Sequence, residues 1–282
     1  CKFKQFGSYI GFKDFTGHFQ GDCFKAVEFM YGLNFRDAWV KIAQDFSLTD
    51  GVNSISKVEN KAKISKCIKK VSKAKIEISR RAWVNKDLLF WRGFGISEKT
   101  LSLFNVYPCN VIWLNGEWSY NHSVKNPAYA YNFGREEYKI YFPLRPKRYS
   151  RFWSNGDNLQ GVSQLDLSKT TCIITKSLKD VMTLYELGIN SVAPPAEGAL
   201  VNPEWMEYLC LSFNEVIILF DNDETGMEWA KKNSSVYGVS YIYLDPKDKV
   251  KDISDYRKSS TKEATYKKLV EILQRKKYDT SN

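Results

Sequence analysis

Asp221 and Asp223 follow the apolar run Glu215 to Phe220, with Glu224 behind them and Gly226 closing the cluster. Paired carboxylates suit one chemistry above others, the holding of a divalent cation. Side chains at i and i+2 of a strand share a face, so the two acids would lie together and repel unless a cation or several donors offset them. The pattern also has a plainer use, because Asp223 can cap a helix that starts at Glu224. Both readings stay open on these residues alone. A second polar cluster, Lys176-Ser177-Leu178-Lys179-Asp180, follows the run Thr171 to Thr175 in the same way.

The elements that must position these clusters read as alternating strands and helices. Thr171–Thr175 predicts a buried strand, Val181–Leu187 a helix stopped by Gly188, and Ser191–Ala193 a short strand before Pro194-Pro195. Glu215–Phe220 predicts another buried strand, and a helix runs from Glu224 to Asn233. Such alternation implies a parallel sheet whose site lies at the carboxyl ends of its strands, where both clusters fall.

With these motifs in place the chain resembles the TOPRIM fold of bacterial-type primases, topoisomerases and some nucleases. Ile173 to Asp180 matches the family's first motif, Leu219 to Gly226 its D-x-D motif, and Lys251-Asp252-Ile253-Ser254-Asp255 the acidic segment after the last strand of primases. The resemblance covers about 90 residues. It implies Asp221 and Asp223 as ligands of one or two Mg²⁺ or Mn²⁺ ions, with Asp252 and Asp255 closing the shell and Asp180 assisting catalysis. One departure stands out: the family's glutamate after the first strand is replaced by Lys176, which is cationic at neutral pH. Glu197 is the candidate substitute, with an ordinary loop acid as the plain alternative. Lys176 and Lys179 are expected to touch a triphosphate.

Residues 87–168 resemble the segment that precedes TOPRIM in bacterial and phage primases. Trp91-Arg92-Gly93 through Val106 is similar to that family's Arg-Gly-Leu/Ile-Ser element, and Arg151-Phe152-Trp153-Ser154-Asn155 to its Lys-Tyr-Leu-Asn-Ser element. Arg92, Arg145, Lys147, Arg148, Arg151 and Asn155 are therefore expected to meet template or nucleotide, with interleaved aromatics offering stacking faces. A solvated basic face is the alternative reading of those charges.

Residues 1–50 resemble a degenerate form of the zinc-binding domain that opens such primases. The turn Gly21-Asp22-Cys23-Phe24 is present, yet Asp14 and Gly17 stand where cysteines would be, and no Cys-x-x-Cys or Cys-x-x-His occurs. No zinc is expected at Cys1, His18 or Cys23. The chain begins without Met inside this unit, so further residues are expected upstream.

The expected organisation is α/β: the zinc-domain-like unit at 1–50, a basic linker at 51–86, an α+β polymerase subdomain at 87–168, a TOPRIM domain at 169–259 with a central, mostly parallel sheet flanked by helices, and a closing helix within 260–282. The linker carries Lys61, Lys63, Lys66, Lys69 and Lys70 and alternatively reads as a tether for template phosphates. A length of 282 residues with 43% hydrophobic residues allows substantial cores, and a net charge of +10 favours a polyanionic partner. Six irregularly spaced cysteines suit reduced thiols in a cytoplasm, the host's if the protein is phage-encoded. No apolar stretch approaches a membrane span, and no secretory leader is visible.

The resemblance implies a nucleotidyltransferase that builds RNA primers on single-stranded DNA from nucleoside triphosphates, in phage-type DNA replication. No Gly-x-x-x-x-Gly-Lys-Ser/Thr loop is present, so a replicative helicase would sit on another chain or in further sequence. Two alternatives are a catalytically inactive TOPRIM protein that binds nucleic acid or recruits partners, and a TOPRIM nuclease.

Overall fold

Thr171–Thr175 and Glu215–Leu219 are short, β-branched and apolar, and such strands survive only where both faces are covered. In the computed structural model, which describes residues 2–6, 9–13, 20–21, 23–45, 74–146, 148–195 and 200–276, these two strands are the centre of a parallel sheet. The described residues fall into two compact units, within 1–73 and 74–282.

The first unit contains an antiparallel sheet of β1 (Lys2–Phe6), β2 (Tyr9–Lys13) and β3 (Gln20–Gly21), then helices α1 (Cys23–Tyr31) and α2 (Phe35–Asp45). Asn34 starts α2 with a reciprocal cap: its Oδ1 accepts from the Asp37 amide at 3.0 Å and its Nδ2 donates to the Asp37 carboxylate at 2.9 Å. Cys23 is exposed at the start of α1, whereas Cys1 and His18 lie outside the described residues.

The second unit begins inside the expected linker. The expected linker does not extend to residue 86, because Ile76–Arg80 forms strand β4, and helix α3 (Asn85–Arg92) starts before 86. Ile76 and Ile78 alternate with polar residues, a strand period that the surrounding lysines obscure. The rest of the expected linker, up to residue 73, lies outside the described residues.

After α4 (Glu98–Leu103) come β5 (Val106–Leu114), β6 (Glu117–Asn121), β7 (Tyr129–Asn132), β8 (Tyr138–Tyr141) and β9 (Phe152–Ser154). They form an antiparallel sheet in the order β4-β5-β7-β8-β9, with β6 also paired to β5. A buried network ties β4 to α3: Arg81 reaches Asp87 through Nη1 at 2.5 Å and Nη2 at 2.8 Å, and the Tyr129 hydroxyl donates to Asp87 at 2.9 Å.

The parallel sheet follows, built from β10 (Thr171–Thr175), β11 (Ser191–Val192), β12 (Glu215–Leu219) and β13 (Ser240–Tyr241) in the order β11-β10-β12-β13. Its connections are α5 (Leu178–Glu186), α6 (Pro203–Ser212) and α7 (Glu224–Tyr237), and α8 (Ile253–Ser259) and α9 (Lys262–Leu273) follow. The fold is α/β with a flanked parallel sheet, as expected. Helix α7 runs a turn beyond the expected end at Asn233, to the left-handed Gly238.

The two sheets share a core. Trp91, Phe94, Ile96, Leu101, Phe104 and Tyr129 pack with Leu178, Val181 and Met182 of α5. Glu186 at the end of α5 accepts from the Ser97 amide at 2.8 Å and the Thr100 hydroxyl at 2.6 Å, so it fastens the start of α4. Gln160 and Ala193 exchange backbone hydrogen bonds at 2.8 and 3.0 Å. Together these contacts join the antiparallel sheet and its helices to the parallel one.

Candidate functional site

Parallel register decides which side chains meet. Thr175 of β10 lies opposite Leu219 of β12, so the residues just beyond each strand emerge at the same edge. Those residues are Lys176 and, after Phe220, Asp221. The Lys176 Nζ donates to Asp221 Oδ2 at 2.8 Å, with the carboxylate side chain only 6% exposed. A second ammonium joins them: Lys251 Nζ lies 2.9 Å from Asp221 Oδ2 and 3.4 Å from Asp223 Oδ2. The loop carrying Lys251 is held by its backbone, since its carbonyl accepts from the Asn222 amide at 2.7 Å.

Asp223 does both things its sequence position allows. Its Oδ1 caps α7 by accepting from the Gly226 amide at 2.8 Å, while Oδ2 faces Lys251. Gly226 is required by space: a Cβ there would stand 2.1 Å from the Asp221 carbonyl oxygen. Partial burial works against ionisation of Asp223, but the Gly226 amide and the Lys176 and Lys251 charges together hold its carboxyl below the usual range. Burial opposes the charge on Lys251 as well, and its hydrogen bond to Asp221 and the charges of Asp221 and Asp223 outweigh that and raise it.

Asp180 lies in the first turn of α5, 1% exposed. It accepts from the Ser177 hydroxyl at 2.6 Å and from the Ser254 hydroxyl of α8. Burial and the nearby Asp252 charge push its carboxyl up to about 7, against Lys179 and the two hydroxyls. Lys179 reaches Asp252 at 3.3 Å and Asp255 at 3.7 Å, and its ammonium lies 4.5 Å from the centre of the Phe94 ring.

The edge therefore carries five carboxylates and three ammoniums, and the acids do not form one shell. Asp221 and Asp223 are closed by Lys176 and Lys251, Asp252 and Asp255 by Lys179. Among the described residues no group of three or more His, Cys, Asp or Glu side chains is arranged to hold a metal ion. Of the four acids expected to share a shell, Asp221 and Asp223 lie on one pair of lysines, and Asp252 and Asp255 on a third. The pair Asp221 and Asp223 nevertheless fits a magnesium-like ion, which is commonly held by one or two carboxylates with water and substrate phosphates. A cation position between them is occupied already, by an ammonium.

Residues 173–257 match the family model described as Toprim-like. This segment is a Toprim-like domain. Among solved structures the chain is similar to the Aquifex aeolicus primase (zinc-binding and RNA polymerase domains), at 15% identity and TM-score 0.48, over 98% of this chain and 81% of that one. It is also similar to a DNA primase domain from Pseudomonas aeruginosa, at 12% identity and TM-score 0.49, over 67% and 72% of the two chains. The primase fragment of the bacteriophage T7 primase-helicase protein matches at 14% identity and TM-score 0.44, over 82% and 84%. No curated protein matches the sequence.

The expected basic contacts divide once they are placed beside the Toprim-like domain. Arg148 and Arg151 are exposed, and Arg151 lies close enough to Tyr141 to act on its phenol together with Lys179, Asp252 and Asp180. Arg92 is exposed and pairs with Glu98 at 2.7 Å, beside an open groove of about 430 Å³ lined by Gly95, Ser97 and Lys99. Arg145 instead packs on two rings, 3.4 Å from the centre of Phe142 and 4.7 Å from that of Trp153. Asn155 accepts from the Tyr138 amide at 2.7 Å and donates to the Glu136 carbonyl at 3.0 Å, so its amide ties the end of β9 to the start of β8 and the turn before it. Glu197 and Lys147 lie outside the described residues.

Two residues of the site were not assigned a role from sequence. Lys251 was visible only as the first letter of an acidic segment, and Ser254 as a small residue inside it. The lysine could have been found from charge balance, because two adjacent aspartates beside a single Lys176 leave one negative charge unmatched.

Proposed function

We propose that the chain is a primase-like protein of the TOPRIM type, which holds single-stranded DNA and nucleoside triphosphates at the carboxyl edge of the parallel sheet and joins ribonucleotides into short primers. The observation that carries this reading is the acid pair Asp221 and Asp223 in a Toprim-like domain, in one compact unit with an arginine-bearing antiparallel sheet. In each transfer a 3′ oxygen attacks an α-phosphorus, a new P–O bond forms, and the bond to the pyrophosphate leaving group breaks.

Asp221 and Asp223 would hold Mg²⁺ or Mn²⁺, which supplies charge neutralisation and alignment of phosphoryl oxygens. Lys176 and Lys179 face the triphosphate, and Arg92, Arg148 and Arg151 contact template phosphates. Asp180 acts as a positioning residue, since the hydrogen bonds it accepts from Ser177 and Ser254 hold the start of α5 and α8 together. Residues 87–168 serve as the polymerase subdomain and 1–50 as a zinc-free relative of the primase zinc domain. A helicase on another chain and a setting in phage-type replication in the host cytoplasm belong to the same proposal.

The test is incorporation of labelled ribonucleotides on single-stranded DNA with Mg²⁺ or Mn²⁺. Short products are expected from the intact chain and background only from Asp221→Ala and Asp223→Ala. Equal products from all three proteins would sink the assignment. A second reading, nucleic-acid binding without transfer, is favoured by Lys176, which occupies the family's glutamate position and pairs with Asp221. Bound DNA without products under either metal would select it, and cleavage of DNA without nucleotides would select a nuclease.

A further inference from the structure

Lys176 and Lys251 contact the same oxygen of Asp221, but they are held differently. The Lys176 side chain is 13% exposed, so withdrawing its charge would break a largely buried pair. The Lys251 side chain is 54% exposed, and its ammonium can move into water on a flexible four-carbon stem. Its backbone is held by the bond from the Asn222 amide to its carbonyl and by the next residue, Asp252, which caps α8 through the Asp255 amide at 2.7 Å.

Lys251 Nζ bridges the two carboxylates at 2.9 and 3.4 Å, where a divalent ion shared by them would lie. Such an ion sits about 2.0–2.1 Å from its oxygens. An ion and an ammonium cannot share that space. We propose that Lys251 is the built-in occupant of the divalent-cation position, and that metal loading is an exchange in which Lys251 swings outward while Lys176 remains on Asp221. The proposal rests on the reading of Asp221 and Asp223 as a metal pair. The exchange weakens metal binding in the free protein and releases a cation beside the site, so a polyphosphate that arrives with the metal accepts the displaced ammonium.

The test is Mn²⁺ binding to the full chain, followed by calorimetry without DNA or nucleotide, so its result is independent of primer synthesis. Lys251→Ala and Lys251→Gln are expected to bind Mn²⁺ about tenfold more tightly than the natural chain, equivalent to ~1.4 kcal/mol. Lys251→Arg keeps the charge and stays near the natural affinity. Adding Asp221→Ala to Lys251→Ala abolishes the gain. Added tripolyphosphate tightens Mn²⁺ binding to the natural chain more than to Lys251→Ala. In the unsubstituted protein, Mn²⁺ speeds modification of Lys251 by an amine-reactive reagent and leaves Lys176 unchanged. Equal affinities in the natural chain and Lys251→Ala, a gain that survives Asp221→Ala, or Lys251 reactivity indifferent to Mn²⁺ would each overturn the proposal.

Discussion

Asp180 has almost no contact with water and lies near the Asp252 charge, and these two effects outweigh Lys179 and the hydroxyls of Ser177 and Ser254, so the proton stays on at pH values where most aspartates have lost theirs. Its folded-state value is about 7, against about 4 in an unfolded chain. Between those values the folded state binds more protons, so this group's contribution to stability falls as pH rises through the window. Asp180→Asn removes the dependence. The melting temperature of this variant relative to the natural chain is expected to climb from pH 4.5 to pH 8, by about 2–4 °C per kcal/mol recovered, as calorimetry would show. A flat difference would mean that Asp180 is ionised throughout. At this scale the sequence revealed which acids cluster, because motif order placed Asp180, Asp221 and Asp223 at strand ends. It could not reveal their partners: Ser254 lies 74 residues from Asp180, and only the packed helices bring it there.

The elements were legible where local pattern and tertiary role agree. β10 and β12 are β-branched runs that end at polar clusters, and α7 starts at an aspartate, so their positions follow from composition alone. β4 was hidden because its alternating isoleucines sit at the end of a lysine-rich stretch. The turn between β12 and α7 depends on a close backbone approach at Gly226. Gly226→Ala is expected to destabilise the unit by about 1–3 kcal/mol or more, measured by denaturant unfolding, since the added methyl has only backbone to push against. It should also weaken Mn²⁺ binding by moving Asp221. Unchanged stability would show that the turn relaxes freely.

At the level of the whole molecule, the +10 charge supports association with a polyanion but does not say which cations touch it. The exposed Arg148 and Arg151 are expected to contribute directly: replacing either with alanine should lower the salt slope of single-stranded DNA binding by about 0.7, in affinities measured across a salt series. Arg145→Ala should leave the slope nearly unchanged and instead reduce stability, because its guanidinium is spent on Phe142 and Trp153. From sequence the three arginines were equivalent, and exposure separated them. Sequence also suggested a boundary near residue 168, whereas the structure runs one core across it, with Glu186 clasping the start of α4. That clasp bears on how such a protein can change over generations. A recombination event that joined a foreign sheet at residue 169 would leave the apolar face of α5 without Trp91, Phe94 and Leu101, so an exchange at that point would carry a cost that an exchange of both sheets together would not.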